Sequence, residues 1–224
     1  MNFYKKRREQ FSAAMADKGV SSAIFSPSSD FLYLTGSSRP SSQRIAALIL
    51  SSERAALLIP DFEKGNDSNL DDEIEVIPYS DSDNAIDILS SLLPSKGCVA
   101  VGHEMHADIL LSLQHRASYL TWCCADTILE PIRRRKDSWE IQLIETAQHM
   151  AERALCRLLS EPLIGHTERE IASRLAELRL QEGFDSVGNG IVASGPNTAL
   201  PHHINSDRPL SKGDILMVDI GGTY

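Results

Sequence analysis

Between residues 4 and 18 the apolar positions recur with helical spacing. Phe11, Ala14 and Met15 share a face, charges take the rest, and Gly19 stops the run. The pattern then shortens to runs rich in β-branched, aliphatic and aromatic residues over 22–25, 31–35, 45–50, 55–59 and 74–78. Gly, Pro, Ser or Asp bounds each of them, and strands are predicted there. A helix is predicted over 85–93, closed by Pro94, then a strand over 98–101, a helix over 107–117 and a strand over 121–129. Strands alternating with helices imply an α/β domain over residues 1–130.

Residues 131–137 form a Pro-led basic connector, with Arg133, Arg134, Arg135 and Lys136 in a row, and read as a solvated linker. Beyond it a long helix is marked by Ile144, Ala147, Ala151, Ala154, Leu155 and Leu158. Thr167 and Glu170 make a capping box that starts another helix, with Ile171, Leu175 and Leu178 on its buried face and Gly183 as its end. Glu168 and Glu170 are first-turn acids, and the positive end of the helix dipole is reason enough for both.

A β run over 190–193 leads into a turn over 194–197 and round to His202 and His203. Ser194 lacks the Gly-x-Ser-x-Gly elbow of a nucleophile and reads as a turn hydroxyl. Another turn, over 211–214, opens a strand over 215–220. Period two puts Ile215, Met217 and Asp219 on one face and Leu216, Val218 and Ile220 on the other. A carboxylate in so apolar a strand is costly to bury unless a cation or hydrogen-bond donors meet it. Asp219 is therefore either a metal ligand or a strand-end acceptor ahead of a Gly221-Gly222 turn, and His202 and His203 could serve the same site.

Composition narrows the classes. With 224 residues and 42% hydrophobic content the chain suits one large or two modest globular domains. The net charge of -9, from 31 acidic and 22 basic residues without a long acidic block, argues against a nucleic-acid surface. The basic stretch at Lys5, Lys6, Arg7 and Arg8 is followed by residues too polar for a signal peptide. No run approaches the ~20 apolar residues of a membrane span, so a cytoplasmic protein is the simplest reading. Cys98, Cys123, Cys124 and Cys156 show no zinc spacing and read as reduced, packed thiols. His103 and His106, three apart after Gly102, miss the four-residue spacing of a zinc-protease helix and read as surface histidines.

The string IVASGPNTALPH over 191–202, followed by KGDILMVDIGG over 212–222, resembles the Xaa-Pro peptidase family of aminopeptidase P, prolidase and creatinase. IRRRKDSWEI over 132–141 resembles that family's entry into its catalytic domain, GHTEREIA over 165–172 its next helix start, and FLYLTG over 31–36 its N-terminal domain. The resemblance implies a creatinase-type N-terminal α/β domain with a mixed sheet over 1–130, a linker over 131–137, and the first part of a pita-bread α+β catalytic domain over 138–224. It also implies hydrolysis of the peptide bond before proline, in peptides with proline at the second position, by water activated between two divalent metal ions such as manganese, zinc or cobalt. A cytoplasmic homodimer that binds neither nucleic acid nor membrane is the matching expectation.

Asp219 matches the family's first metal-binding Asp, and His202 a histidine beside the metals that binds substrate or the tetrahedral intermediate. His203 is adjacent but is not carried over in the same way. The family's second Asp, its ligand His and its two Glu follow later in the pattern than residue 224. This chain is therefore expected to bind no metal pair tightly and to be inactive alone. Two other readings stay open: a metal-free creatinase-like amidinohydrolase and a non-catalytic pita-bread binding module.

Overall fold

The computed structural model describes residues 3–40, 42–65, 70–188 and 190–224. They fall into two compact units, Met1–Arg135 and Lys136–Tyr224. The first contains α1 (Phe3–Asp17), β1 (Val20–Phe25), α2 (Ser29–Thr35), β2 (Ala47–Ser51), β3 (Ala55–Pro60), β4 (Glu75–Tyr79), α3 (Ala85–Ser91), β5 (Cys98–Val101), α4 (Ala107–Arg116), β6 (Thr121–Cys124) and α5 (Asp126–Arg134). Its strands form one mixed sheet in the order β4-β3-β2-β1-β5-β6. The β1–β2 and β2–β3 pairs are antiparallel; the other three are parallel.

Both faces of this sheet are covered, which is why its strands read as nearly continuous apolar runs. On one face Phe25, Leu48, Leu50, Leu57 and Ile59 pack with Phe11 and Met15 of α1, Phe31 and Leu34 of α2, and Ile128 and Leu129 of α5. On the other, Ile24, Ile49, Leu58 and Val99 pack with Leu89 of α3 and Leu113 of α4. The N-terminal basic stretch is partly internal. Arg8 donates to the Leu34 carbonyl at 3.0 Å, and Arg7 donates to the Tyr33 carbonyl at 3.2 Å and stacks 4.1 Å over the Tyr33 ring.

Two expected strands are corrected. Residues 31–35 lie in helix α2: the Ser28 hydroxyl caps it by accepting from the Phe31 N–H at 3.1 Å, and Gly36 ends it with φ 77°. Phe31 and Leu34, three apart, turn to the core, so helical spacing overrides the strand-like composition. The strand expected over 121–129 stops at Cys124, and α5 then runs through the expected connector as far as Arg134. Pro131 is tolerated inside this helix. It cannot donate to the carbonyl four residues back, which belongs to Thr127, and that carbonyl accepts from Lys18 Nζ at 2.8 Å instead. The connector's charges are not merely solvated, because Arg133 pairs with Asp30 and Arg134 with Glu130.

The cysteines are free, but Cys124 and Cys156 are exposed rather than packed. Cys98 and Cys123 approach to 3.5 Å between their sulfurs. Burial, then the contact with Cys98, pushes the Cys123 thiol up to about 11, so it stays protonated and unreactive at neutral pH.

The second unit contains α6 (Ser138–Leu159), α7 (Glu168–Glu182), β7 (Ser186–Val187), β8 (Ile191–Ser194), a 3-10 turn (Gly195–Ala199), β9 (Leu216–Asp219) and β10 (Gly222–Thr223). Both long helices open on capping boxes, Asp137 with Glu140 and Thr167 with Glu170. Ala154 and Leu158 of α6 pack with Ile171, Leu175 and Leu178 of α7 and with Val192 of β8, whereas Ile144 is exposed. Leu216, Val218 and Ile220 add to the same core. Gly222 does not simply turn: it pairs with Val187 in an antiparallel β10–β7 ladder.

Candidate functional site

The β8–β9 hairpin sets the register of the site, pairing Ile191 with Asp219 and Ser194 with Leu216. Asp219 thus ends β9 on the strand face opposite Leu216 and Val218. That face is open: Asp219 is exposed and Ile215 is 71% exposed. The expected cost of burying Asp219 does not arise within this chain, and neither does the alternative that its carboxylate serves backbone donors, since it accepts no hydrogen bond among the described residues. Just beyond it, the buried guanidinium of Arg179 donates to the Gly221 carbonyl at 2.6 Å and the Gly188 carbonyl at 2.7 Å. These bonds tie the backbone after Asp219 to α7. Burial pushes the Arg179 pKa down from its ordinary value.

Glu168, in the first turn of α7, is fully buried and organises the rest. Its Oε1 accepts from the Ser194 N–H at 2.7 Å, the Ser194 hydroxyl at 2.8 Å and Asn197 Nδ2 at 3.0 Å. Its Oε2 accepts from the Ser206 N–H at 3.0 Å, the Ser206 hydroxyl at 2.7 Å and His203 Nε2 at 2.7 Å. Burial alone would raise this carboxyl. The hydrogen bonds from Ser206, His203 and Asn197 outweigh it and hold the group well below the usual carboxylate range, so it is ionised. Since a carboxylate only accepts, His203 carries its proton on Nε2.

Ser194 is corrected from a turn hydroxyl to a buried strand-end group. It donates to Glu168 and accepts from Arg208 Nη1 at 2.7 Å. Arg208 in turn grips both oxygens of Asp214, at 2.8 and 3.2 Å, and so clamps the start of β9 to the end of β8. Asn205 lines the other edge of β8, accepting from the Val192 N–H at 2.8 Å and donating to the Gly190 carbonyl at 3.1 Å. The loop from Ser194 to Ser206 is therefore pinned at both ends and through His203.

His202 sits in this pinned loop with its side chain exposed and its backbone at φ 53°, the one described non-Gly residue with positive φ. Such a conformation is strained and persists where surrounding bonds impose it, often at functional positions. His203, its neighbour, points inward to Glu168 with a side chain only 7% exposed. The two adjacent histidines thus divide into a structural one and a displayed one. No hydrogen bond or ion pair joins His202 to Asp219 among the described residues.

A two-metal centre needs several donors converging on each ion. Among the described residues the one group of three potential ligands is Asp30, His103 and Asp126, in the first unit. Asp219 belongs to no such group among the described residues.

Glu168 does far more than the helix-dipole role expected of a first-turn acid. Its only local signal is redundancy: the capping box needs Glu170 alone, leaving Glu168 surplus to it. The hydroxyls and amide that give it a purpose lie 26–38 residues away.

Residues 142–224 match metallopeptidase family M24, and residues 7–134 match the creatinase/prolidase N-terminal domain. The chain belongs to the creatinase/prolidase family, with an α/β fold whose N-terminal domain carries a mixed sheet. It is 33% identical over 99% of its length to the probable dipeptidase PepE of Mycobacterium tuberculosis, covering 60% of that protein. To the Xaa-Pro dipeptidase of Pyrococcus furiosus it is 24% identical over 98% of its length, covering 61% of that protein. Among solved structures, the prolidase from Thermococcus sibiricus superposes with TM-score 0.90 at 28% identity over 100% of this chain and 62% of the other. The dipeptidase PepE from Mycobacterium ulcerans superposes with TM-score 0.89 at 31% identity, over 99% and 61% respectively. The chain thus spans about 60% of the length of the curated relatives it matches. Among the described residues no helix is long and apolar enough to cross a membrane.

Proposed function

We propose that these residues belong to a metal-dependent Xaa-Pro peptidase, of dipeptidase rather than aminopeptidase type, and that Asp219 is its first metal ligand and His202 a substrate-binding histidine. The dipeptidase assignment rests on similarity to the probable dipeptidase PepE, the Xaa-Pro dipeptidase and the prolidase named above. The observation that carries the two residue roles is the pairing of display with support. His202 is held at a strained φ by a loop that Glu168 pins, and Asp219 is left open on a strand that Arg208 and Arg179 fix.

In this reading a pair of divalent ions such as manganese, when bound, would supply Lewis-acid activation of water, and Asp219 would be one of the residues holding it. The residues described here do not complete that centre, so their part is to fix backbone, present one carboxylate and present one imidazole. Glu168 is a positioning residue for the His202 loop. Domain limits of 1–130 and 138–224, a cytoplasmic location and a homodimer accompany the proposal.

The nucleotide sequence beyond codon 224 tests it first. A second Asp shortly downstream, then a His and two Glu in family order, is the expected result, and their absence would favour the amidinohydrolase or binding-module alternatives. In a protein extended by that sequence, manganese-dependent hydrolysis of an Ala-Pro dipeptide should be abolished by Asp219→Asn. His202→Ala should lower kcat/KM by about 100-fold, the scale of losing one transition-state contact. Undiminished hydrolysis by Asp219→Asn would remove the assignment.

A further inference from the structure

The group of three potential ligands in the first unit lies outside everything the peptidase proposal uses. Asp30 stands in the first turn of α2, His103 in the loop between β5 and α4, and Asp126 in the first turn of α5. His103 Nδ1 lies 3.1 Å from Asp126 Oδ1 and 3.4 Å from Asp30 Oδ2, and one ligand atom from each residue falls within 4.8 Å of the others. Around a zinc-sized ion with ligands at about 2.1 Å, neighbouring donors of a tetrahedral shell stand about 3.4 Å apart. The two measured separations are close to that edge before any ion enters.

Three further features fit a ligand set better than a chance cluster. Asp30 is nearly buried, with a side chain 5% exposed, and its other oxygen is held by Arg133, which also reaches the Ser29 hydroxyl at 3.2 Å. Arg133 therefore orients Asp30 while leaving Oδ2 turned to His103. The other ring nitrogen of His103, Nε2, lies 3.5 Å from Glu104 Oε1, the position of the carboxylate that orients many metal-bound histidines. Finally, His103 and Asp126 remain partly open to solvent, which leaves room for a water as fourth ligand.

We propose that Asp30, His103 and Asp126 form a mononuclear site for a borderline divalent metal such as zinc or cobalt, separate from the catalytic ions. One imidazole and two carboxylates suit that class of ion. In the metal-free chain both carboxylates can only accept, so Nδ1 carries a proton between them; to bind the ion the imidazole takes its other neutral tautomer, giving up the Nδ1 proton to solvent and taking one up on Nε2, which faces Glu104, so that the Nδ1 lone pair meets the metal. Two helices and one loop of the first unit would then be linked through a single centre.

The test is titration of the chelator-stripped 224-residue chain with Co²⁺, read by the visible absorption of four-coordinate cobalt and by displacement with Zn²⁺. One equivalent should bind without a thiolate charge-transfer band. His103→Asn and Asp126→Asn should each weaken binding at least tenfold while keeping the wild-type circular dichroism. Asp219→Asn should leave it unchanged, so this site can fail or stand independently of the peptidase proposal. Binding that survives both His103→Asn and Asp126→Asn, or no binding by wild-type chain at submillimolar Co²⁺, would overturn it and leave the three groups as an ion-pair cluster around Arg133.

Discussion

The two units keep their shape by different physics. In the first, a six-stranded sheet is covered on both faces, and residues such as Phe25, Leu48 and Leu58 are wholly buried. In the second, the sheets have only two strands each, one helix pair supplies most of the apolar core, and a buried carboxylate with six hydrogen bonds holds the long loop in place. An apolar core tolerates rearrangement so long as volume is kept, whereas a buried charge demands every partner. The second unit is built in this second way, and its network fixes a region that leaves the His202 imidazole and the Asp219 carboxylate exposed.

The chain's two tryptophans allow this difference to be measured, because Trp122 lies in β6 of the first unit and Trp139 in the first turn of α6 of the second. Phe25→Ala should have the largest effect, about 3–5 kcal/mol from the emptied core, seen in the denaturant transition reported by Trp122. Next is Glu168→Ala, which strands buried donors and should cost about 3 kcal/mol in the transition reported by Trp139. Equal movement of both tryptophan signals in both variants would erase the contrast.

Acid should separate the units next. Folding holds the Glu168 carboxyl below its ordinary value of 4.5. Its contribution is therefore complete above that value and is lost as pH falls toward the lower folded value. The Trp139 transition should weaken below about pH 4.5, and Glu168→Gln should flatten that dependence while lowering stability at neutral pH. The smallest effect is that of Asp219→Asn, within about 0.5 kcal/mol, because the carboxylate is exposed and accepts no hydrogen bond among the described residues.

The same contrast governs what the sequence disclosed. Helices α1 and α7 were legible because periodicity and a terminal glycine agree locally, with a capping box added in α7. Helices α2 and α5 were not: one has seven residues with strand-like composition, and the other contains a proline whose lost bond is compensated from Lys18, more than a hundred positions away. Asp219 and His202 stood out through their motifs. Glu168, Arg179 and the division of labour between His202 and His203 depend on contacts distant in sequence, which no local pattern encodes.

We propose Asp219 as the first ligand, and His202 as a substrate-binding histidine, of a metallopeptidase centre that the described residues do not by themselves assemble. The most direct measurement is hydrolysis of an Ala-Pro dipeptide by the purified 224-residue chain with added manganese, compared with its Asp219→Asn variant. The account predicts no hydrolysis above the metal-only blank for either protein, and steady turnover by the unmodified chain that disappears in Asp219→Asn would contradict it.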